Sequence, residues 1–230
     1  MLTVLFWEVL NKEDIVLNVP WRNKFILSKG HAALALYTVL YFKGILPEEL
    51  YSTVGDNGSI LAEHPPFKPE LGLEAATGSL GHGLSIGAGL ALGAKLRGWP
   101  SRVYVLLSDG ECNEGSVWEA AMFASSKQLN NITAVVDFNK WQATGRSEEI
   151  LAISPLKEKF ISFGWEAVEI NGHSFTQLKD TLCRRESEKP LAIIAHTVKG
   201  KGVSFMEDDN NWHYRIPSEE DVAKAFKELK

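Results

Sequence analysis

The chain has 230 residues, 45% of them apolar, enough to bury one sizeable core or two small ones. Its 24 Lys and Arg against 29 Asp and Glu give a formal charge of −5, and the cations are scattered with no basic block, so the electrostatic footprint of a nucleic-acid binder is missing. The longest apolar run, Leu84 to Ala94, carries several glycines, ends at Lys95 and Arg97, and falls well short of the roughly 20 residues of a membrane span; no membrane partner is expected.

The first ten residues, Met1 to Leu10, are apolar at helical spacing, lack a basic n-region and a small-residue cleavage site, and run into Glu8 and Asn11. They read as a helix rather than a signal peptide, and a cytoplasmic location is the expectation. Ala32–Phe42 has the same spacing and ends in Lys43-Gly44, a basic last turn and a C′ glycine. Gly44 to Glu74 holds Pro47, Pro65, Pro66 and Pro69 and reads as a long loop region around one short helix at Pro47–Tyr51; loops of that length in a compact fold are usually functional.

Thr77-Gly-Ser-Leu-Gly-His-Gly83 then opens a helical stretch to Arg97 in which Gly83, Gly87, Ala91 and Ala94 share one face. Such a stripe lets another helix or a cofactor come close, and both readings stand. After it, Val103–Leu107, Ile132–Phe138, Trp165–Ile170 and Leu191–Thr197 read as apolar strands. Between and after them, Val117–Gln128, Leu156–Phe163, Phe175–Arg184 and Ser218–Leu229 read as helices. Continuous apolar strands alternating with helices imply an α/β fold with a mostly parallel sheet covered on both faces. Functional sites in such folds lie outside the carboxyl ends of the strands. Cys112 and Cys183 are too few and too far apart for a disulfide framework or a zinc site and read as free thiols.

Two polar clusters sit at predicted strand ends: Ser108-Asp109-Gly110-Glu111 and Asn139-Lys140-Trp141. The 30 positions from Asp109 to Asn139 match one βαβ unit, which brings the two turns side by side. An aspartate and an asparagine there offer hard oxygen ligands with a single negative charge, suited to a magnesium ion that also holds phosphate oxygens. Gly110 leaves the backbone open toward an anion at the start of the next helix.

These residues resemble the thiamine diphosphate motif, Gly-Asp-Gly followed some 30 residues later by an asparagine. Ser108 replaces the first glycine, and Phe138 stands before the ligand where Asn or Asp is frequent. Further segments are similar to the transketolase family, particularly its split form in which two chains share the work. They are Phe25-Ile-Leu-Ser-Lys-Gly-His31, Glu63-His64-Pro65, Ala76 to Gly83, Ser108 to Gly115, and Thr197 to Glu207 followed by Trp212-His213.

The resemblance, in order from about Met1 to Pro217, implies a thiamine-diphosphate-binding fold, with residues 1–230 forming one diphosphate-binding domain that lacks the family's first N-terminal helix and its Gly-His motif. It implies Asp109, Asn139 and the backbone carbonyl of Trp141 as magnesium ligands, Gly110 at the diphosphate, and Gly78 and Leu80 as backbone contacts to the cofactor. His31, His64 and His213 become active-site histidines, His31 and His213 also touching the cofactor, and Glu114 the glutamate that links cofactor sites across a subunit interface. His82, His173 and His196 match no role, and Lys199-Gly-Lys-Gly202 reads either as a phosphate loop or as a basic surface turn.

The activity implied is transfer of a two-carbon ketol unit from a ketose phosphate to an aldose. It needs a separate C-terminal subunit that carries the pyrimidine-binding module and its glutamate, in an α2β2 heterotetramer. Transfer to a lipoyl or acyl-carrier-protein acceptor, and a non-catalytic binding subunit, are the alternatives.

Overall fold

The computed structural model describes residues 1–184 and 187–230. Five parallel strands, β1 (Lys24–Leu27), β2 (Val103–Ser108), β3 (Ile132–Phe138), β4 (Glu166–Asn171) and β5 (Leu191–His196), form one sheet in the order β1-β2-β3-β5-β4. The helices of seven residues or more are α1 (Ala33–Phe42), α2 (His82–Leu96), α3 (Gly115–Ser126), α4 (Leu156–Ser162), α5 (Phe175–Leu182) and α6 (Glu219–Glu228).

Side chains alternate across the strands and feed two cores. Val103, Val105 and Leu107 of β2, Ala134 and Val136 of β3 and Ile194 of β5 meet α2, α3 and α4 on one face. Tyr104, Leu106, Val135, Leu191 and Ile193 point the other way, against α1, α5 and the N-terminal segment, where Phe6 packs edge-on against Phe25 at 5.6 Å. Burial on both faces is why these strands read as unbroken apolar runs.

The expected α/β architecture is present, with three differences of detail. No predicted strand covers β1: it is only four residues long, and it holds the sheet edge beside β2. The N-terminal stretch is a short α turn, Leu2–Val4, that widens into a π-helical Leu5–Val9, and a further short helix, Lys12–Val16, follows with Asn11 as its N-cap. The glycines of the small-residue stripe of α2 face the sheet side, and the same helix also packs against α3: a Cβ on Gly87 would stand 2.5 Å from Val105 Cγ2, and one on Gly83 would collide with Ser28. The missing methyls let α2 lie directly on β1 and β2.

Gly44 to Gly81 is mostly irregular, with a helical turn at Glu48–Tyr51 and a 3₁₀ turn at Pro69–Leu71. It is tied to the body by Tyr37, whose hydroxyl donates to the carbonyls of Ala62 (3.0 Å) and His64 (3.1 Å), and by Thr77, whose hydroxyl donates to the carbonyl of Leu27 (2.6 Å). Among the described residues no helix is long and apolar enough to cross a membrane.

Candidate active site

The chain leaves β2 at Ser108 and turns at once through Asp109 into a 3₁₀ turn, Gly110–Asn113, that delivers α3. Asp109 is completely buried. Its Oδ1 accepts from the Gly110 N–H (2.9 Å), and its Oδ2 from the Lys140 N–H (2.8 Å) and the Ser147 hydroxyl (2.9 Å). Burial pushes the Asp109 carboxyl above its ordinary range, and these three hydrogen bonds pull against that rise. The next strand ends two residues before Lys140, and Asn139 Oδ1 accepts from the Trp141 N–H at 2.9 Å. Strand pairing sets Ser108 opposite Asp137, so Asp109 and Asn139 stand on adjacent strand ends, joined through the Lys140 amide.

The Trp141 loop is locked from the C-terminal side. Asp208 accepts from Trp141 Nε1 (2.8 Å) and from both Arg146 terminal nitrogens (2.7 and 2.6 Å), while the Arg146 guanidinium lies 3.7 Å from the centre of the Trp141 ring. The Arg146 bonds, and then the Trp141 bond, hold the Asp208 carboxyl down at about 2. Asn210 adds a bond to the Ala143 carbonyl at 3.1 Å, and the 3₁₀ turn Asn210–His213 follows.

Beyond this clamp, His213 comes within electrostatic reach of one of the other two predicted histidines, His31. His31 and His64 meet edge to face with ring centres 4.9 Å apart. Burial pushes His213 below the ordinary histidine value, and electrostatic interaction with nearby Lys199 and His31 adds to the effect. A cavity of about 330 Å³ beside the pair is lined by His31, Leu34, Tyr37, Ala62, Glu63 and His64 among others.

Two glycines make the crowding possible. A Cβ on Gly30 would sit 2.7 Å from the Gly78 nitrogen, and one on Gly78, where φ is +151°, would sit 2.7 Å from His64 Cδ2. Leu80 lies half-buried two residues on. Glu114 is exposed at the start of α3, its Cβ 2.6 Å from where Gly81 would carry one.

Three polar groups behind these residues, Lys29, Asp137 and Glu111, carry no role in the sequence reading. Asp137 Oδ2 accepts from Lys29 Nζ at 2.5 Å and its Oδ1 from the Thr197 hydroxyl at 2.5 Å. Burial alone would raise the Asp137 carboxyl, but the Lys29 charge and these two bonds overcome it and hold the group below its ordinary value. Glu111 is fully buried and accepts from three segments at once. One signal was available for Asp137: an acid in the middle of an otherwise apolar strand must have a partner.

The remaining expected roles fall as follows. His173 Nε2 accepts from the Val198 N–H at 2.8 Å, His196 packs against Phe138, and His82 is exposed on α2. In the basic turn, Lys201 pairs with Glu207 at 3.1 Å, whereas Lys199 is half-buried and lowered by burial and by Lys29. Cys112 is buried and Cys183 exposed, and both are free.

The residues fit a diphosphate held with a hard cation. One carboxylate and one neutral side-chain oxygen stand on adjacent strand ends, and a cation between them would leave most of the charge balance to anionic oxygens of a ligand. Gln142 lies over Gly110, whose added Cβ would come within 2.9 Å of Gln142 Cγ, and the buried Gln142 Nε2 has no acceptor among the described residues. An anionic oxygen bound beside Gly110 would supply that acceptor.

The family described as "Transketolase, thiamine diphosphate binding domain" matches residues 1–229. The chain is 38% identical, over its whole length and 82% of the relative's, to one of the subunits of the apulose-4-phosphate transketolase of Phocaeicola vulgatus. It is 36% identical, over its whole length and 84% of the relative's, to a 6-deoxy-6-sulfo-D-fructose transketolase subunit of a Clostridium species. The crystal structure of transketolase from Campylobacter jejuni superposes on 98% of this chain and 37% of its own length with a TM-score of 0.86 at 28% identity. The chain belongs to the transketolase family, and what it contributes is the family's thiamine-diphosphate-binding domain.

Proposed function

We propose that this chain is the diphosphate-binding subunit of a two-chain transketolase, moving a two-carbon ketol unit from a ketose phosphate to an aldose. One observation carries the reading: Asp109 and Asn139 stand on adjacent strand ends joined through the Lys140 amide, and elsewhere in the chain His31 meets His64 edge to face and lies within electrostatic reach of His213. The relatives whose names make them single subunits of a transketolase support a separate partner, which would bring the pyrimidine-binding module, and an α2β2 assembly is the form we favour.

In this reading Asp109, Asn139 and the Trp141 carbonyl hold magnesium. Gly110 and Gln142 meet the diphosphate, and the backbone at Gly78 and Leu80 meets the rest of the cofactor. Bound thiamine diphosphate supplies the nucleophilic carbon that breaks and remakes a carbon–carbon bond. The chain's own work is to orient and to move protons. His31 and His64, edge to face, suit one ring donating to a substrate hydroxyl while the other accepts. His213, pushed toward its neutral form, is suited to accept a hydroxyl proton near neutral pH. Exposed Glu114, beside the Gly81 turn, is placed for contact with another protein chain.

The test is ketol transfer from a ketose phosphate to an aldose phosphate, with magnesium and thiamine diphosphate, by this chain alone and with the product of a neighbouring gene. Activity in the mixture only, lost in Asp109→Ala together with cofactor binding, is the expected result. A stable, cofactor-loaded mixture that transfers to a lipoyl or carrier-protein acceptor instead would move the proposal to that acceptor class. Failure to bind the cofactor at all would overturn it.

A further inference from the structure

Glu111 is fully buried, and among the described residues no Lys, Arg or His forms an ion pair with it. A buried carboxylate without a cation is costly unless several hydrogen bonds converge on it. Here three do. Oε1 accepts from the Ser28 hydroxyl and from the Gly81 N–H at 2.8 Å, and Oε2 accepts from the Ser108 N–H at 3.2 Å; the Ser108 hydroxyl in turn accepts from the Glu111 N–H at 3.2 Å.

Each donor belongs to a different segment of the proposed site. Ser28 follows β1 and leads into Lys29, Gly30 and His31. Gly81 follows Gly78 and Leu80 and is the N-cap of α2, in a left-handed conformation (φ +86°). Ser108 ends β2 and leads into Asp109 and Gly110. The Gly81 peptide is held from its other side as well, since the Ser116 hydroxyl donates to its carbonyl at 3.1 Å. These segments are not neighbours in sequence, and among the described residues Glu111 is the single side chain bonded to all three.

We infer that Glu111 is a positioning residue: its carboxylate ties the histidine segment, the glycine turn and the metal-ligand turn into one cradle, and so sets cofactor affinity without touching the cofactor. The inference rests on the proposed function. It also explains why a carboxylate is needed. All three partners are donors, so an amide in the same place can satisfy at most two of them and must set its own N–H against the third.

The test is calorimetric binding of thiamine diphosphate with magnesium to the complex of this chain and its partner, comparing the parent with Glu111→Gln, Ser28→Ala, the double variant and Asp109→Ala. Glu111→Gln is expected to stay folded and to bind the cofactor about 10- to 100-fold more weakly. It should need more magnesium, and kcat at saturating cofactor should change less than the KM for cofactor. Ser28→Ala removes one donor and should weaken binding in the same direction by less, and the double variant should fall short of the product of the two effects.

Folded Glu111→Gln and Ser28→Ala that both bind within about twofold of the parent would overturn the inference. So would a loss of melting temperature with no change in the affinity of the folded protein. If Glu111→Gln does not fold, Ser28→Ala decides by the same criterion. Asp109→Ala separates the two levels: loss of binding there with no effect at Glu111 refutes only the positioning role, whereas a parent that does not bind refutes the functional reading beneath it.

Discussion

Gly30 offers the sharpest check on the geometry of the site, because its neighbours are backbone. An alanine Cβ there would lie 2.7 Å from the Gly78 nitrogen, 2.7 Å from the Thr77 carbonyl carbon and 2.8 Å from the Thr77 oxygen, well inside the 3.4 Å at which ordinary contact begins. None of these atoms can swing away as a flexible side chain would. The Thr77 hydroxyl anchors that segment to the Leu27 carbonyl, so either Lys29–His31 or Thr77–Gly78 must shift as a unit.

Overpacking of this kind costs about 1–3 kcal/mol. The φ of Gly30 lies in the ordinary range, so replacing glycine returns about 0.4–1 kcal/mol through the unfolded chain; with three backbone atoms in the way the overpacking cost belongs at the upper end of its range, and Gly30→Ala should be net destabilising by about 2 kcal/mol. Gly89, exposed inside α2 with nothing within 4 Å of a built Cβ, is the matched control, and Gly89→Ala should stabilise by about 0.4–1 kcal/mol. Urea unfolding followed by far-UV circular dichroism measures both. Since the displaced segments carry His31 and Gly78, Gly30→Ala should also weaken cofactor binding in the complex. A Gly30→Ala protein as stable as the parent, alongside a Gly89→Ala protein that shows its gain, would refute the proposed contact between the two loops.

Two further outcomes follow from charge. Asp137→Asn leaves Lys29 partly buried without its anion and should cost about 3–5 kcal/mol if the pair, 15–18% exposed, behaves as a buried one. Because the folded Asp137 carboxyl is held below its unfolded value, its stabilisation is complete above about pH 4 and fades as pH falls further through the folded pKa, so the acid limb of a stability-against-pH curve should flatten in the variant. His213, held below its unfolded value, should titrate in proton NMR below the usual histidine midpoint of about 6.5; it disfavours the folded state as pH drops through that region and is neutral in its effect above it. Lys199→Met should move that midpoint upward.

The sheet was legible because its strands are covered twice. In Ile132–Phe138 and Leu191–His196 nearly every side chain is buried, and a run of apolar β-formers is the only pattern consistent with that. β1 is not legible in the same way because four residues carry too little pattern. The turns that bear Asp109 and Asn139 were legible for a different reason: they are the polar breaks immediately after buried strands, and the interval between them fixes a crossover. The small residues of α2 announced a close approach but not what approaches, since a flat helix face looks the same whether a helix, a strand or a ligand lies on it.

What could not be read from the chain is the layer that holds those turns in place. Glu111 and Asp137 act through partners 83 and 108 positions away in sequence, Ser28 and Lys29. No local pattern encodes such distances; only the order in which parallel strands assemble does. That order puts β1 beside β2 and β2 beside β3, so the polar residues at the ends of all three strands converge on one edge of the sheet. There a buried carboxylate can find several donors, and a lysine its counter-charge. The residues proposed to meet ligand are therefore local signals at strand ends, while the residues that align them are consequences of topology, and substitutions in that second layer should alter affinity before they alter the fold.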